Sequence, residues 1–239
     1  MSETVRVVRR WEPARHKMAI QVERPQGFVY KAGQNADLRL PQIATDDQFD
    51  GSRSLSIASA PCEELLTFAV RDRESIYKKA FKSLREGDRV TVDGPFGTFG
   101  DKLNYDEPVV FLAGGIGITP ILSLIRQMAH EDKTPPTWLF YSNRTPDQAA
   151  FLDELKQLHD ETDWFTLVPT VTRVDRSELD GSFEHGRIDA AMLKRHLPEG
   201  IDPQFYLCGS TDMVWGVLAE LDKIAQRSRV HIEDFTGFE

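Results

Sequence analysis

The sequence predicts a two-domain molecule. A six-stranded antiparallel β-barrel carrying one helix is followed by an α/β domain, doubly wound around a five-stranded parallel sheet. Three observations predict it. Up to about residue 100 the chain reads as short β-forming runs separated by Pro and Gly. From Glu107 onward strands alternate with helical patterns, the rhythm of right-handed crossovers and of a sheet covered on both faces. Between the halves lies DKLNYDEP, residues 101–108, polar and ending in proline, which sets the domains at 1–102 and 103–239. With 239 residues, both have the length for a core of their own.

The barrel strands are expected at TVRVVRRWE, HKMAIQVE, NADLRLP, SRSLSIAS, LLTFAVR and DRVTVDG, all alternating or rich in β-formers. The helix among them is SIYKKAFKSL. Ile76, Ala80 and Leu84, with Tyr77 and Phe81, recur at helical spacing, and Ser75 is its N-cap. In the second half the strands are VVFLA, WLFYS, FTLVPTVT, QFYLC and RVHIE. Helices are expected to start near Pro120, Pro146, Asp189 and Thr211. The second opens with Thr145, Pro146 and Gln148, a capping-box pattern with proline at the first helical position.

Composition narrows the function. At 40% hydrophobic and 28% charged residues the chain is an ordinary globular one. Its net charge of -9 argues against broad binding to nucleic acid or to anionic membranes. No apolar stretch is long enough for a membrane span, and MSETVRVVRR lacks the apolar centre of a signal peptide. The two cysteines, Cys62 and Cys208, lie far apart and suit a reducing cytoplasm, the expected location. They also exclude an iron–sulfur cluster that needs four thiolates from this chain. The six histidines show no metal-ligand spacing, so no metal is expected.

The most informative stretch is FLAGGIGITP, residues 111–120. In a doubly wound sheet, ligands bind beyond the carboxyl ends of the strands, and Gly114, Gly115 and Gly117 sit at such an end. Glycines let a diphosphate approach the backbone, and Thr119 and Pro120 open a helix whose N-terminus favours negative charge. A tight turn packing helix on strand reads the same residues without a ligand. The pattern also departs from G-x-G-x-x-G, because Pro120 stands at the third glycine.

Other segments decide between these readings: FVYKAGQ (28–34), RSLSIAS (53–59), GPFGTF (94–99), CGSTDM (208–213) and EDFTGFE (233–239). Together with the glycine turn, and in this order, they resemble the ferredoxin–NAD(P)H reductase superfamily over nearly the whole chain. The resemblance implies a flavin-binding barrel joined to a pyridine-nucleotide domain. It implies hydride transfer from NAD(P)H to bound FAD, with FMN as the alternative flavin, and onward transfer of electrons.

By that resemblance Arg53 neutralises flavin phosphate, Ser54 shares the flavin strand, and Ser56 hydrogen-bonds near the flavin N5. Leu55 departs from the family, which places an aromatic there to stack on the ring. The segment VRDRESIYKKAF also lacks the family's glycine; Arg71, Arg73, Ser75 and Lys78 cluster there and are expected to hold the flavin diphosphate at the helix start. Gly114, Gly115, Gly117, Thr119 and Pro120 match the nucleotide diphosphate loop. Cys208 and Gly209 lie by the nicotinamide, with Met213 anchoring the helix behind them. Glu233 is the candidate acid beside the flavin, and Phe235 or Phe238 the aromatic covering its face. Ser56, Cys208 and Glu233 are thus the expected catalytic set. Arg144 follows the second strand where an acid would grip a ribose hydroxyl, and Thr172–Arg173 ends the third, a pair resembling that of NADPH-selective relatives; NADP(H) is therefore favoured over NAD(H).

No C-x4-C-x2-C segment follows the second domain, so the expected acceptor is a separate ferredoxin, flavodoxin, oxygenase or small molecule. Two alternatives stay open: a flavin reductase that takes free flavin as substrate, and a flavin-binding electron-transfer subunit that works only within a complex.

Overall fold

A computed structural model of the chain describes residues 2–43, 51–72, 74–179 and 181–235. The first domain is a six-stranded sheet of β1 (Ser2–Ala14), β2 (Lys17–Glu23), β3 (Asn35–Arg39), β4 (Ser52–Ser56), β5 (Leu65–Arg71) and β6 (Arg89–Phe96). Their order is β4-β3-β6-β1-β2-β5, with every pair antiparallel. The two ends of the sheet meet where the Ala58 N–H donates to the Thr67 carbonyl at 2.8 Å, which gives the domain its barrel form. Alternate residues point inward, among them Val5, Val7, Ile20, Val22, Leu38, Phe68, Val90 and Val92, all buried. Helix α1 (Ile76–Ser83) begins where Ser75 accepts from the Lys78 N–H at 3.3 Å, and lays Tyr77 and Phe81 into the barrel core. Burial of Phe81 alone stabilises by roughly 1.5–3 kcal/mol.

The second domain holds β7 (Val109–Gly114), α2 (Ile118–Glu131), β8 (Thr137–Asn143), α3 (Leu152–Glu161) and β9 (Phe165–Val171). It continues through β10 (Glu184–His185), α4 (Ala190–His196), β11 (Gln204–Ser210), α5 (Thr211–Leu221) and β12 (Val230–Phe235). The sheet order is β10-β9-β8-β7-β11-β12, with every pair parallel. Strand β7 shows the double winding directly. Its Val109, Phe111 and Ala113 pack with α2 and with Leu155 of α3, whereas Val110 and Leu112 pack with α4 and α5 on the other face.

Two expectations need correction. The parallel sheet has six strands, not five, because two-residue β10 joins its edge. No run of β-formers marks it. It is held by pairing to β9, by the Gly186 N–H on the Val171 carbonyl and by the Thr170 hydroxyl on the Gly186 carbonyl. Thr145–Gln148 does not open the second helix either. Pro146–Gln148 is one 3-10 turn, Phe151 follows in the left-handed region at φ 58°, and α3 starts at Leu152. The Thr145 hydroxyl bonds the Asp147 carboxylate instead of capping backbone, and the Gln148 carbonyl takes the Lys17 ammonium. Among the described residues no helix is long and apolar enough to cross a membrane.

Candidate active site at the domain seam

The order of strands reverses at β7 and β11, so the crevice for a ligand opens beyond their carboxyl ends. The barrel lies against this edge. Ser123 on α2 donates its hydroxyl to the Ser59 carbonyl at 2.6 Å. Arg126 reaches the Ala58 carbonyl at 3.3 Å, Glu63 at 3.2 Å and Glu154 at 2.6 Å.

The three expected catalytic residues form one row across this seam. Ser56, at the end of β4, stands opposite Asn35 in the β3–β4 ladder. Asn35 hydrogen-bonds the Glu233 carboxyl and accepts the Ser54 hydroxyl at 3.0 Å. Glu233 on β12 is the register partner of Cys208 on β11. Burial pushes the Glu233 carboxyl up to about 7, while the Asn35 bond pulls the other way. Ser56 Oγ and Glu233 Oε2 are both buried without a hydrogen-bond partner. Two such orphans in one row indicate a polar group arriving from outside the chain.

Asn35 was missed in the sequence, where nothing local marks it; its place follows from the ladder register and from the closeness of Gly97. A Cβ on Gly97 would come within 2.7 Å of Asn35 Nδ2, and the φ of +86° there also favours glycine.

Further along β4, Arg53 donates to the Ser52 carbonyl at 2.8 Å and lies 5.7 Å from the centre of the Tyr77 ring. Leu55 is partly buried against the barrel core. The Ser75 hydroxyl oxygen serves as the α1 cap, and Arg71 pairs in register with Lys17. Arg73 and Phe238 lie outside the described residues, as does the side chain of Phe235.

The glycine turn divides its labour. A Cβ on Gly114 would meet Met213 Sδ at 2.3 Å, and one on Gly209 would meet it at 2.5 Å. On Gly117 it would strike the Cys208 carbonyl oxygen at 2.4 Å. These three glycines therefore answer to the chain's own close packing, with Met213 wedged between two strand ends. Gly115 is different. It has φ +57°, and the one atom within 4 Å of its Cβ direction is Lys17 Nζ at 3.8 Å. Thr119 and Pro120 are buried, the Thr119 hydroxyl donating to the Ile116 carbonyl at 3.0 Å.

At the far end of the edge, Arg144 and Arg173 are both exposed and joined by an Arg173 N–H to Arg144 carbonyl bond of 2.9 Å. Thr172 donates its hydroxyl to the Asn143 carbonyl at 3.4 Å. Lys17 is the second residue the sequence reading missed. It is 4% exposed, and burial, with the Arg71 charge as the lesser cause, lowers its pKa to about 8.

Comparison with known proteins agrees with this fold. The family model for the oxidoreductase NAD-binding domain matches residues 111–218. The cytochrome P450 reductase GcoB of Amycolatopsis superposes on 99% of this chain and 70% of its own, with a TM-score of 0.83 and 23% identity. A ferredoxin NADP+ reductase from Neisseria gonorrhoeae, solved with FAD and NADP, covers 98% of both chains with a TM-score of 0.79 and 20% identity. The chain has the two-domain fold of the ferredoxin–NAD(P)H reductases. In sequence, the reductase component of propane 2-monooxygenase from Mycolicibacterium smegmatis is 30% identical over 219 residues, 89% of this chain and 61% of that protein. The electron transfer component of 2-halobenzoate 1,2-dioxygenase from Burkholderia cepacia is 30% identical over 191 residues, 77% of this chain and 52% of that protein. The chain thus spans between half and two thirds of the length of these relatives.

Proposed function

We propose that the chain is a flavin-dependent NAD(P)H oxidoreductase that hands electrons to a separate acceptor, with flavin and nicotinamide meeting at the row from Ser56 to Cys208. The observation that carries this reading is the pair of buried orphan atoms, Ser56 Oγ and Glu233 Oε2, at the seam between the domains. FAD held by Arg53, Leu55, Ser56 and Glu233 would supply the redox chemistry, with hydride uptake from NAD(P)H and release of electrons singly or in pairs. The chain positions and tunes. Ser56 and Glu233 offer hydrogen bonds at the polar edge of the ring, and Leu55 offers an apolar face. Cys208 is small and polarisable, so a nicotinamide can lie against it. Arg53 neutralises flavin phosphate with its guanidinium fork. Exposed Arg144 and Arg173 would supply positive charge for a 2′-phosphate, which favours NADPH over NADH. No general base is required, because hydride leaves as such.

The acceptor we favour is an oxygenase or the small redox protein that serves one, by analogy with the relatives named as reductase or electron transfer components. A second reading, loose binding of flavin as a substrate, is favoured by Leu55 and by the lack of a glycine in VRDRESIYKKAF. One experiment separates the two. The visible spectrum of desalted protein is recorded, then NADPH is added without oxygen. A flavin spectrum that bleaches is expected; colourless protein that reduces only supplied flavin favours the second reading, and no reduction of any flavin overturns both.

A further inference from the structure

We infer that Lys17, supplied by the barrel, is the counter-charge for the diphosphate of the nicotinamide dinucleotide at the glycine turn, so that both domains hold one ligand. The inference rests on the nucleotide-binding reading above. Lys17 Nζ donates to Asn143 Oδ1 at 3.3 Å and to the Gln148 carbonyl at 2.6 Å, both neutral acceptors. No carboxylate pairs with it among the described residues, and an ammonium has a third N–H to give. Its register partner on β5 is Arg71, a second cation. A buried ammonium beside a like charge is costly until an anion arrives.

Two independent features point to where that anion sits. With its oxygen taken by Lys17, the Asn143 amide faces the Tyr141 phenol, yet its buried Nδ2 finds no acceptor with hydrogen-bond geometry there. Beside it, the face of Gly115 is open except for Lys17 Nζ. The Tyr141 hydroxyl donates to the Gly115 carbonyl at 3.0 Å, which pins that oxygen inward. An oxyanion on the open face of Gly115 therefore meets the ammonium and comes within reach of the orphan amide. It also lies just ahead of the fourteen-residue helix α2, whose N-terminus favours negative charge. Neither adenosine nor nicotinamide offers such an oxyanion; the diphosphate between them does.

Loss of a purely structural strut would weaken both ligands alike, whereas loss of a counter-charge for the diphosphate acts on ADP-ribose and spares adenosine. In Lys17→Met the side chain keeps its bulk, loses its charge and leaves Asn143 Oδ1 and the Gln148 carbonyl without a donor, so ligand affinity rather than melting temperature is the readout. ADP-ribose and adenosine are then titrated calorimetrically into both forms. The expected result is ADP-ribose binding weaker by about tenfold or more, with adenosine changed by less than about twofold. Equal ADP-ribose affinity in the two forms, or equal losses for both ligands, overturns the role of Lys17 and leaves the nucleotide reading standing. Failure of the unaltered protein to bind either ADP-ribose or NADPH overturns the nucleotide reading itself. Should the methionine variant be insoluble, Lys17→Gln is read through the same affinity comparison.

Discussion

At the scale of single residues, Glu233 carries a pH signature. Its carboxyl is raised from the usual range to about 7, so the buried neutral form is favoured in the folded chain. The stability this confers is full below about pH 4.5, the unfolded range, and is lost as pH rises through about 7. Glu233→Gln removes the titration. Its melting temperature should therefore gain on that of the unaltered protein between about pH 5 and 8, a trend thermal scans at several pH values would read; a constant difference would contradict it. Leu55 is only partly buried, which leaves room for a ring facing outward. Leu55→Tyr should tighten flavin binding by about two- to tenfold, the worth of an aromatic stack, in a fluorescence titration. Arg173, exposed and tied by its backbone to Arg144, is a candidate for nucleotide choice. Arg173→Ala should raise the KM for NADPH by about tenfold and leave that for NADH nearly unchanged, since a charge-assisted bond to phosphate is lost with NADPH alone.

At the scale of elements, the glycine turn and its two flanking strand ends behave as one packed unit. Gly117→Ala drives a methyl into the Cys208 carbonyl, which is backbone and has no rotamer to yield. A loss of about 1–3 kcal/mol is expected from overpacking, read as a lower denaturant midpoint. Gly115→Ala meets no such wall; its cost of about 1–2 kcal/mol comes from the left-handed backbone alone. If the two variants lost stability with nucleotide affinity unchanged, the turn would be a packing device and nothing more. Helix α3 teaches a related lesson. Thr145, Pro146 and Gln148 read as a helix start, yet other partners took groups of that turn: neighbouring Asp147 the threonine hydroxyl, and Lys17, from the barrel, the Gln148 backbone carbonyl.

At the scale of the whole molecule, the site exists only because the barrel docks on the carboxyl edge of the parallel sheet. Arg126 is central to that seam, bridging Ala58 and Glu63 of the barrel side to Glu154 of α3. Arg126→Met leaves a carbonyl and two carboxylates without their cation, and should cost about 1–3 kcal/mol and speed proteolysis between the domains. The sequence by itself determined the two classes of domain, because periodicities of two and of strand–helix alternation are local properties of the chain. It also marked Arg53, Ser56, Cys208 and Glu233, through short motifs resembling a family. Only the tertiary structure decided the rest. Asn35 joins the row through ladder register with Ser56, β10 forms because β9 offers it an edge, and Gly114 and Gly117 serve Met213 and Cys208. Lys17 sits in an unremarkable strand, KMAIQVE, until the second domain closes over it. The physical reason is the same in each case: a hydrogen bond or a close contact between residues far apart in sequence leaves no periodic trace, whereas the patterns that build strands and helices repeat within a few residues.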